Sequence, residues 1–359
     1  MKSPLVSVAM VVCNVERFLG EAIESILDQT FGDFEFVIVD FGSTDKSKDI
    51  ISSYVTKDRR IKFHEIPHCG LADARNQAFL LAQGQYIAIM DADDISVPQR
   101  LAWEVEFLEE NPQAGVVGGA VDWVDAAGKS LHSTWAALHP PVGNREILSA
   151  LRTENPFWQP SVLMRREAFT VVGGYREAFA PAEDYDLWLR ISEKFEMANL
   201  AQVVLKYRIH PNQVSILKHR KQNISSLAAL LSAKSRSSGT PDPMEGVAEI
   251  TPELLVGLGI DEGKQRAALV AGYKYWMQIM MAAKEWPTAL SAGNEMLNLS
   301  DQKHLGARAI ADMRLEVAQL YWKNNRYSMS IISAARAVVT RPRVAGRPLA
   351  RLLHRFGLQ

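Results

Sequence analysis

Residues 84–94 read Gly-Gln-Tyr-Ile-Ala-Ile-Met-Asp-Ala-Asp-Asp. Tyr86 to Met90 is an unbroken apolar run of the length a buried strand needs, and it ends abruptly in Asp91, Asp93 and Asp94. Carboxylates crowded at a strand end repel one another, so they ask for a cation. A hard divalent ion with oxygen ligands, Mn²⁺ or Mg²⁺, would hold them and keep positions open for a phosphate-bearing ligand. The same residues also read as an acidic turn before a helix, with Pro98 in the first helical turn and Leu101, Val105 and Leu108 following at helical spacing.

Upstream, residues 5–12 predict a strand. Residues 15–28 then predict a helix with Phe18, Leu19, Ala22, Ile23, Ile26 and Leu27 on one face. Residues 34–39 form a second apolar run, ending in Asp40, Phe41, Gly42, Ser43, Thr44 and Asp45, a turn whose last three residues are good helix caps. A third strand over 61–65 leads through Gly70 into a helix carrying Ala74, Ala78 and Leu81. The alternation is βαβαβαβ, the pattern of a parallel sheet covered by helices. Ligands of such sheets bind beyond the carboxyl ends of the strands, which predicts that Asn14, Asp40 and Asp91 converge.

Further motifs occur in a fixed order: Val6-Ser7-Val8 with Asn14, Ser25-Ile26-Leu27 with Gln29-Thr30-Phe31, Val39-Asp40 with Gly42-Ser43-Thr44-Asp45, and Gly70 with Ala74-Arg75-Asn76. After Asp91-Ala92-Asp93-Asp94 come Gln159-Pro160-Ser161, Gly173-Gly174-Tyr175, Glu183 to Arg190 and Tyr207-Arg208-Ile209-His210. In this order the motifs resemble a family 2 glycosyltransferase of GT-A fold, over about residues 4–216.

The resemblance implies an α/β fold of GT-A type, a Rossmann-like and mostly parallel sheet with helices on both faces. It implies an inverting, metal-dependent transfer of a sugar from a nucleotide-diphosphate sugar to a hydroxyl of a glycan or lipid-linked acceptor, in cell-surface polysaccharide synthesis. Val12, Asn14, Asp40, Arg75, Asp91 and Ala92 would hold the donor, with Arg208 adding positive charge. Asp91, Asp93 and His210 would hold Mn²⁺ or Mg²⁺. Asp184 matches the general base, and Glu183 would orient acceptor or base. Two positions depart from the pattern: Phe41 stands where the family has a second acid and Cys13 where it has an aromatic, which leaves the base open between UDP, the first choice, and GDP or dTDP.

Plainer readings stand beside these. Asp184 also suits a helix cap, Asp40 a turn opener, Arg75 a helix-surface charge and His210 a solvated strand end. Trp158 and Trp188 read as core or pocket wall. A sugar-1-phosphate nucleotidyltransferase would want a Gly-rich loop after the first strand, and Val11-Val12-Cys13-Asn14 has none. A non-catalytic scaffold with a decayed transferase half gains support from Cys13 and Phe41 and loses it from Asp91, Asp93 and Asp184.

At 359 residues, 47% hydrophobic and 23% charged, the chain predicts two globular domains. Two cysteines, Cys13 and Cys69, make no disulfide framework, which suits a reducing compartment. Residues 1–13 lack a small-residue cleavage site and predict a strand, not a signal peptide. No apolar run approaches the ~18 residues of a membrane span. The expected location is the cytoplasm, peripheral on the inner face of the membrane. Residues 1–216 are expected to form the catalytic domain, 217–243 a helix and polar linker, and 244–359 a helical domain. Within the last, Lys284-Glu285-Trp286 and Asn325-Arg326-Tyr327 open repeats 41 residues apart that resemble degenerate tetratricopeptide hairpins, which would pack on the catalytic domain or in a homo-oligomer; a plain helical bundle reads equally well.

From Val317 onward there is no acid. Lys323, Arg326, Arg336, Arg341, Arg343, Arg347, Arg351 and Arg355 divide the net charge of −1 into +8 for this tail and −9 for the rest. That asymmetry predicts an anionic membrane surface ahead of nucleic acid as the tail's partner, with Val344, Leu349, Leu352, Leu353 and Phe356 as its apolar side; the same segment reads equally as a C-terminal helix docked by its leucines with its arginines solvated.

Overall fold

The computed structural model describes residues 3–131, 140–300 and 302–344. Eight strands form one sheet: β1 (Val6–Val12), β2 (Phe34–Asp40), β3 (Ile61–Glu65), β4 (Tyr86–Asp91), β5 (Ile95–Ser96), β6 (Ala114–Val124), β7 (Leu163–Arg165) and β8 (Glu196–Arg208). Their order is β3-β2-β1-β4-β7-β6-β8-β5. The first four run parallel, as the alternation of apolar runs and amphipathic helices predicts. β7 is antiparallel to both β4 and β6, β8 runs parallel to β6, and β5 closes the far edge antiparallel to β8.

Register decides what meets at the carboxyl end. Val12 pairs with Asp40, Asp40 with Glu65, and Val11 with Asp91. Thus the polar residues that terminate three consecutive strands lie in one row. β1, β2 and β4 are buried along nearly their whole length, which is why each reads as continuous apolar sequence and not as alternation.

Two backbone features hold that row. Gly84 lies against β1 so closely that a Cβ there would stand 2.5 Å from the Ser7 nitrogen and 2.6 Å from the Val6 carbonyl carbon. Ser7 Oγ accepts from the Gly84 N–H at 2.7 Å and donates to buried Glu35 at 2.6 Å, which anchors the start of β4. Behind the strand, the fully buried Arg100 donates to the carbonyls of Ile89 and Val162 at 3.0 and 3.1 Å and to Glu104 on its own helix. That helix, Arg100–Glu110, starts two residues later than Pro98, because the Pro98 carbonyl accepts from the Thr30 N–H and hydroxyl.

The chain divides into two compact units, Met1–Arg208 with Ser225–Ile250, and Ile209–Ile224 with Thr251–Gln359. Within the first, Arg176 and Arg236 share Asp242, and Arg236 also pairs with Glu193. Residues 225–250 are tied to the sheet unit by these contacts.

The second unit is helical. Helix Glu262–Ala282 is followed by Trp286–Leu299, and Gln302–Lys323 by Tyr327–Thr340. Both turns are built alike. Lys284 and Asn325 take left-handed φ values of 60° and 61°, and the next N–H reaches back to the helix, Glu285 to Met280 O and Arg326 to Tyr321 O, each at 2.9 Å. The 41-residue recurrence is therefore a repeated hairpin. Ala311, Leu315, Ala337 and Val344 form the core of the second. Among the described residues no helix is long and apolar enough to cross a membrane. The amphipathic segment 344–358 lies, Val344 apart, outside the described residues.

Candidate active site

The loop after β1 and the loop after β2 are stitched together. Asn14 adopts φ 56°, its N–H donates to Ser43 Oγ at 3.0 Å, and its Oδ1 accepts from the Thr44 N–H at 2.8 Å. Val15 N–H and Glu16 N–H reach Ser47 Oγ and Asp45 Oδ2. Asn14 thus spends its carbonyl on the fold and keeps its amide N–H₂ facing Cys13.

Asp40 is fully buried. Its Oδ1 accepts from the N–H groups of Gly42 and Ser43 at 3.1 and 3.0 Å, while Oδ2 has no hydrogen-bond partner. An orphaned buried acceptor is costly, and a ligand that donates to it would remove that cost. Gly42 follows at φ 103°, a conformation that side-chain-bearing residues avoid. Beside it the Phe41 and His68 rings stack, 6.1 Å apart and 13° from parallel, and His68 Nδ1 lies 3.0 Å from the Phe41 carbonyl oxygen.

At the end of β4, Asp91 and Asp93 are partly exposed, Ala92 and Asp94 are buried. Asp94 turns inward, and its Oδ1 accepts the Arg208 N–H at 2.7 Å. Two of the three carboxylate residues, Asp91 and Asp93, therefore stay partly exposed. Burial and the neighbouring Asp93 push the Asp91 carboxyl up, with Arg75 opposing. Arg208 is itself buried, with its guanidinium over the Phe18 ring. Its side chain donates to the carbonyls of Asp93 and Ala126 at 2.8 and 3.1 Å and pairs with Glu21. The residue that sequence nominated for donor charge clamps the carboxylate loop.

Arg75, also buried, joins two motifs that are 92 positions apart in the chain. Nη2 donates to Asp91 Oδ1 at 3.1 Å, and Nη1 pairs closely with Glu183. Glu183 is 1% exposed and meets Arg75. The next residue, Asp184, retains an open edge. Its Oδ2 accepts from Asn155 Nδ2 and its Oδ1 from the Tyr185 N–H, both at 2.8 Å. Burial and Glu183 push the Asp184 carboxyl up to about 7, against Arg75 and these two donors. A carboxylate that titrates near neutrality is poised to take a proton.

His210 belongs to the second unit, where it is buried and its N–H donates to Gln213 Oε1 at 3.2 Å. Among the described residues no three His, Cys, Asp or Glu side chains form a ready cation cage. Asp91 and Asp93 nonetheless fit a hard divalent ion of the Mg²⁺ or Mn²⁺ kind, which takes one or two carboxylates and completes its shell with phosphate oxygens and water. Sequence reasoning missed Asn155, His68 and Glu177, which accepts the Asp73 N–H at the start of helix Leu71–Leu81. None stands in a motif, and in the structure a Cβ at Gly70 would collide with the Glu177 carboxylate.

The family model described as glycosyl transferase family 2 matches residues 7–173. An uncharacterized glycosyltransferase of Methanocaldococcus jannaschii is 34% identical over 235 residues, spanning 64% of this chain and 79% of that protein. The chain belongs to glycosyl transferase family 2. It is a glycosyltransferase and not a sugar-1-phosphate nucleotidyltransferase. The O-antigen biosynthesis glycosyltransferase WbnJ of Escherichia coli is 30% identical over 210 residues, 57% of this chain and 80% of its own. Among solved structures, a mannosyltransferase from Pyrobaculum calidifontis in complex with GDP-Man and Mn²⁺ superposes with a TM-score of 0.53 at 17% identity, covering 95% of this chain and 89% of that one. That likeness establishes the GT-A fold of this family 2 chain.

Proposed function

We propose that this glycosyltransferase moves a sugar from a nucleotide-diphosphate sugar to a hydroxyl of a glycan or lipid-linked acceptor with inversion, in cell-surface polysaccharide synthesis. The observation that carries the reading is the Arg75 bridge. One guanidinium spans from Asp91, at the end of β4, to Glu183, whose neighbour Asp184 is the partly open carboxylate with a raised pKa. Donor-side and acceptor-side groups are thereby fixed by one side chain.

In this mechanism Val12, Asn14 and Asp40 line the nucleoside end, with the free Asp40 Oδ2 accepting an N–H of the base. Asp91 and Asp93 would hold Mn²⁺ or Mg²⁺, which when bound neutralises the diphosphate leaving group. Asp184 takes the acceptor's hydroxyl proton as that oxygen bonds to the anomeric carbon and the bond from this carbon to the diphosphate oxygen breaks. The nucleoside diphosphate departs with the bonding electrons, so one displacement inverts the anomeric centre. Positioned proton transfer of this kind contributes about 10²–10⁴-fold.

The GDP-Man and Mn²⁺ of the mannosyltransferase complex and the O-antigen role in the WbnJ name support donor class, ion and pathway class. UDP remains the first choice of base. The basic C-terminus would bring the enzyme to an anionic inner membrane surface, where lipid-linked acceptors reside. A nucleotide-release screen over UDP- and GDP-sugars tests this reading. Release should require Mn²⁺ or Mg²⁺ and should vanish on chelation and in Asp93→Ala; release that survives both refutes it.

A further inference from the structure

We propose that Asn155 is the positioning residue that aims the Asp184 carboxylate at the acceptor hydroxyl. The inference rests on the reading of Asp184 as base. Its geometry is unusually determinate for an asparagine, whose amide ends are hard to tell apart. Asn155 Oδ1 lies 3.1 Å from the Phe157 backbone nitrogen, which can only donate. The oxygen end must therefore face Phe157, and the N–H₂ end must face Asp184, 2.8 Å away. Asp184 Oδ1 is held by the Tyr185 N–H of its own helix. With one donor on each oxygen the carboxyl plane cannot rotate, and the remaining acceptor capacity points in a fixed direction.

The bracket is fixed to the same helix that carries the base. Phe157 is buried and packs its ring on Trp188, four residues beyond Asp184 on helix Glu183–Ile191, with centroids 5.6 Å apart. Asn199 Nδ2 lies 3.4 Å from the Pro156 carbonyl oxygen. Donor amide and acceptor carboxylate thus move as one body, the condition for a group that must sit within a fraction of an ångström of its reaction geometry. The charged and titratable groups around Asp184 are Glu183 on its own helix, Arg75 from helix Leu71–Leu81, and the phenols of Tyr175 and Tyr185. Against Glu183, Asn155 favours the ionised form of Asp184, because its N–H bonds a carboxylate better than a carboxylic acid.

The test uses full-length protein labelled with ¹³C at aspartate carboxyls, the resonance lost in Asp184→Asn being that of Asp184. Asn155→Ala should raise its titration midpoint by about one unit, and Asn155→Asp should raise it further, since two carboxyls would then share one proton. The acid limb of nucleotide release from the donor selected by the screen should shift by the same amount. Turnover of Asn155→Ala should fall about tenfold at pH 7 and recover in part as pH rises, while calorimetric affinity for UDP or GDP stays within about twofold. An unmoved midpoint in both variants overturns the proposal, as does turnover lost equally at every pH in step with the melting temperature. Full turnover in Asp184→Asn would instead remove the base assignment itself.

Discussion

Asp94 and Arg208 stand 114 positions apart in sequence and share a 2.7 Å hydrogen bond from the Arg208 backbone N–H to Asp94 Oδ1. The end of β8 is thereby pinned to the turn that follows Asp91 and carries Asp93, and the Arg208 side chain adds a second fastening at the Asp93 carbonyl.

Arg208→Ala withdraws the donors given to the Asp93 and Ala126 carbonyls and should cost about 2–4 kcal/mol in chemical denaturation, with turnover falling alongside. Asp93→Ala should lose more turnover and less stability. Denaturation midpoints and nucleotide release measured on both proteins decide this, and equal stability loss in the two would contradict the division of roles.

Asp184 separates activity from stability through pH. In the proposed mechanism ionised Asp184 is the active form, so kcat/KM should fall as pH drops below about 7. For stability the sign is reversed. The folded pKa lies above that of the unfolded chain, near 4, so the native state binds the proton more tightly and loses stability as pH rises from about 4 to about 7. Asp184→Asn should therefore melt higher than wild type at pH 8 and equally at pH 4, with kcat lowered about 10²-fold or more. A melting difference that does not change with pH would count against the raised pKa.

Arg75→Ala leaves Glu183, 1% exposed, without its cation, which should destabilise the protein by about 3–5 kcal/mol. Neutralising the stranded carboxylate should recover part of that loss. Arg75→Ala/Glu183→Gln is expected to be more stable than Arg75→Ala alone, as a double-mutant cycle in urea would measure. Additive losses would mean that the pair is energetically uncoupled.

Gly84→Ala places a methyl group 2.5 Å from the β1 backbone, where neither strand can yield. A loss of about 1–3 kcal/mol is expected, along with weaker nucleotide binding because β4 carries Asp91. Unchanged stability would show that β1 and β4 can separate locally.

What the sequence disclosed follows from how each signal is encoded. β1, β2 and β4 were legible because buried parallel strands write themselves as apolar runs, and the polar residue that ends each run is by construction at the ligand-binding edge. The turns at Lys284 and Asn325 were legible because the same local geometry recurs with the same neighbours. Arg75 and Glu183 were legible as motif residues but not as partners. Their pairing depends on helix Leu71–Leu81 meeting helix Glu183–Ile191, a tertiary fact with no local trace. Arg208 was legible as a positive charge near a diphosphate motif and not as a clamp, since the two look identical in one dimension. β7, three residues long, is too short to display any period, and Asn155 lies in irregular chain where periodicity says nothing.

The matched turns at Lys284 and Asn325 carry a consequence for how such an enzyme can change. Each ends one helix and launches the next through the same backbone geometry, and Asn324 Nδ2 beside the second turn donates to the Trp286 carbonyl of the first hairpin at 2.9 Å. Gain or loss of one such 41-residue unit would have to make or break that link between neighbouring hairpins.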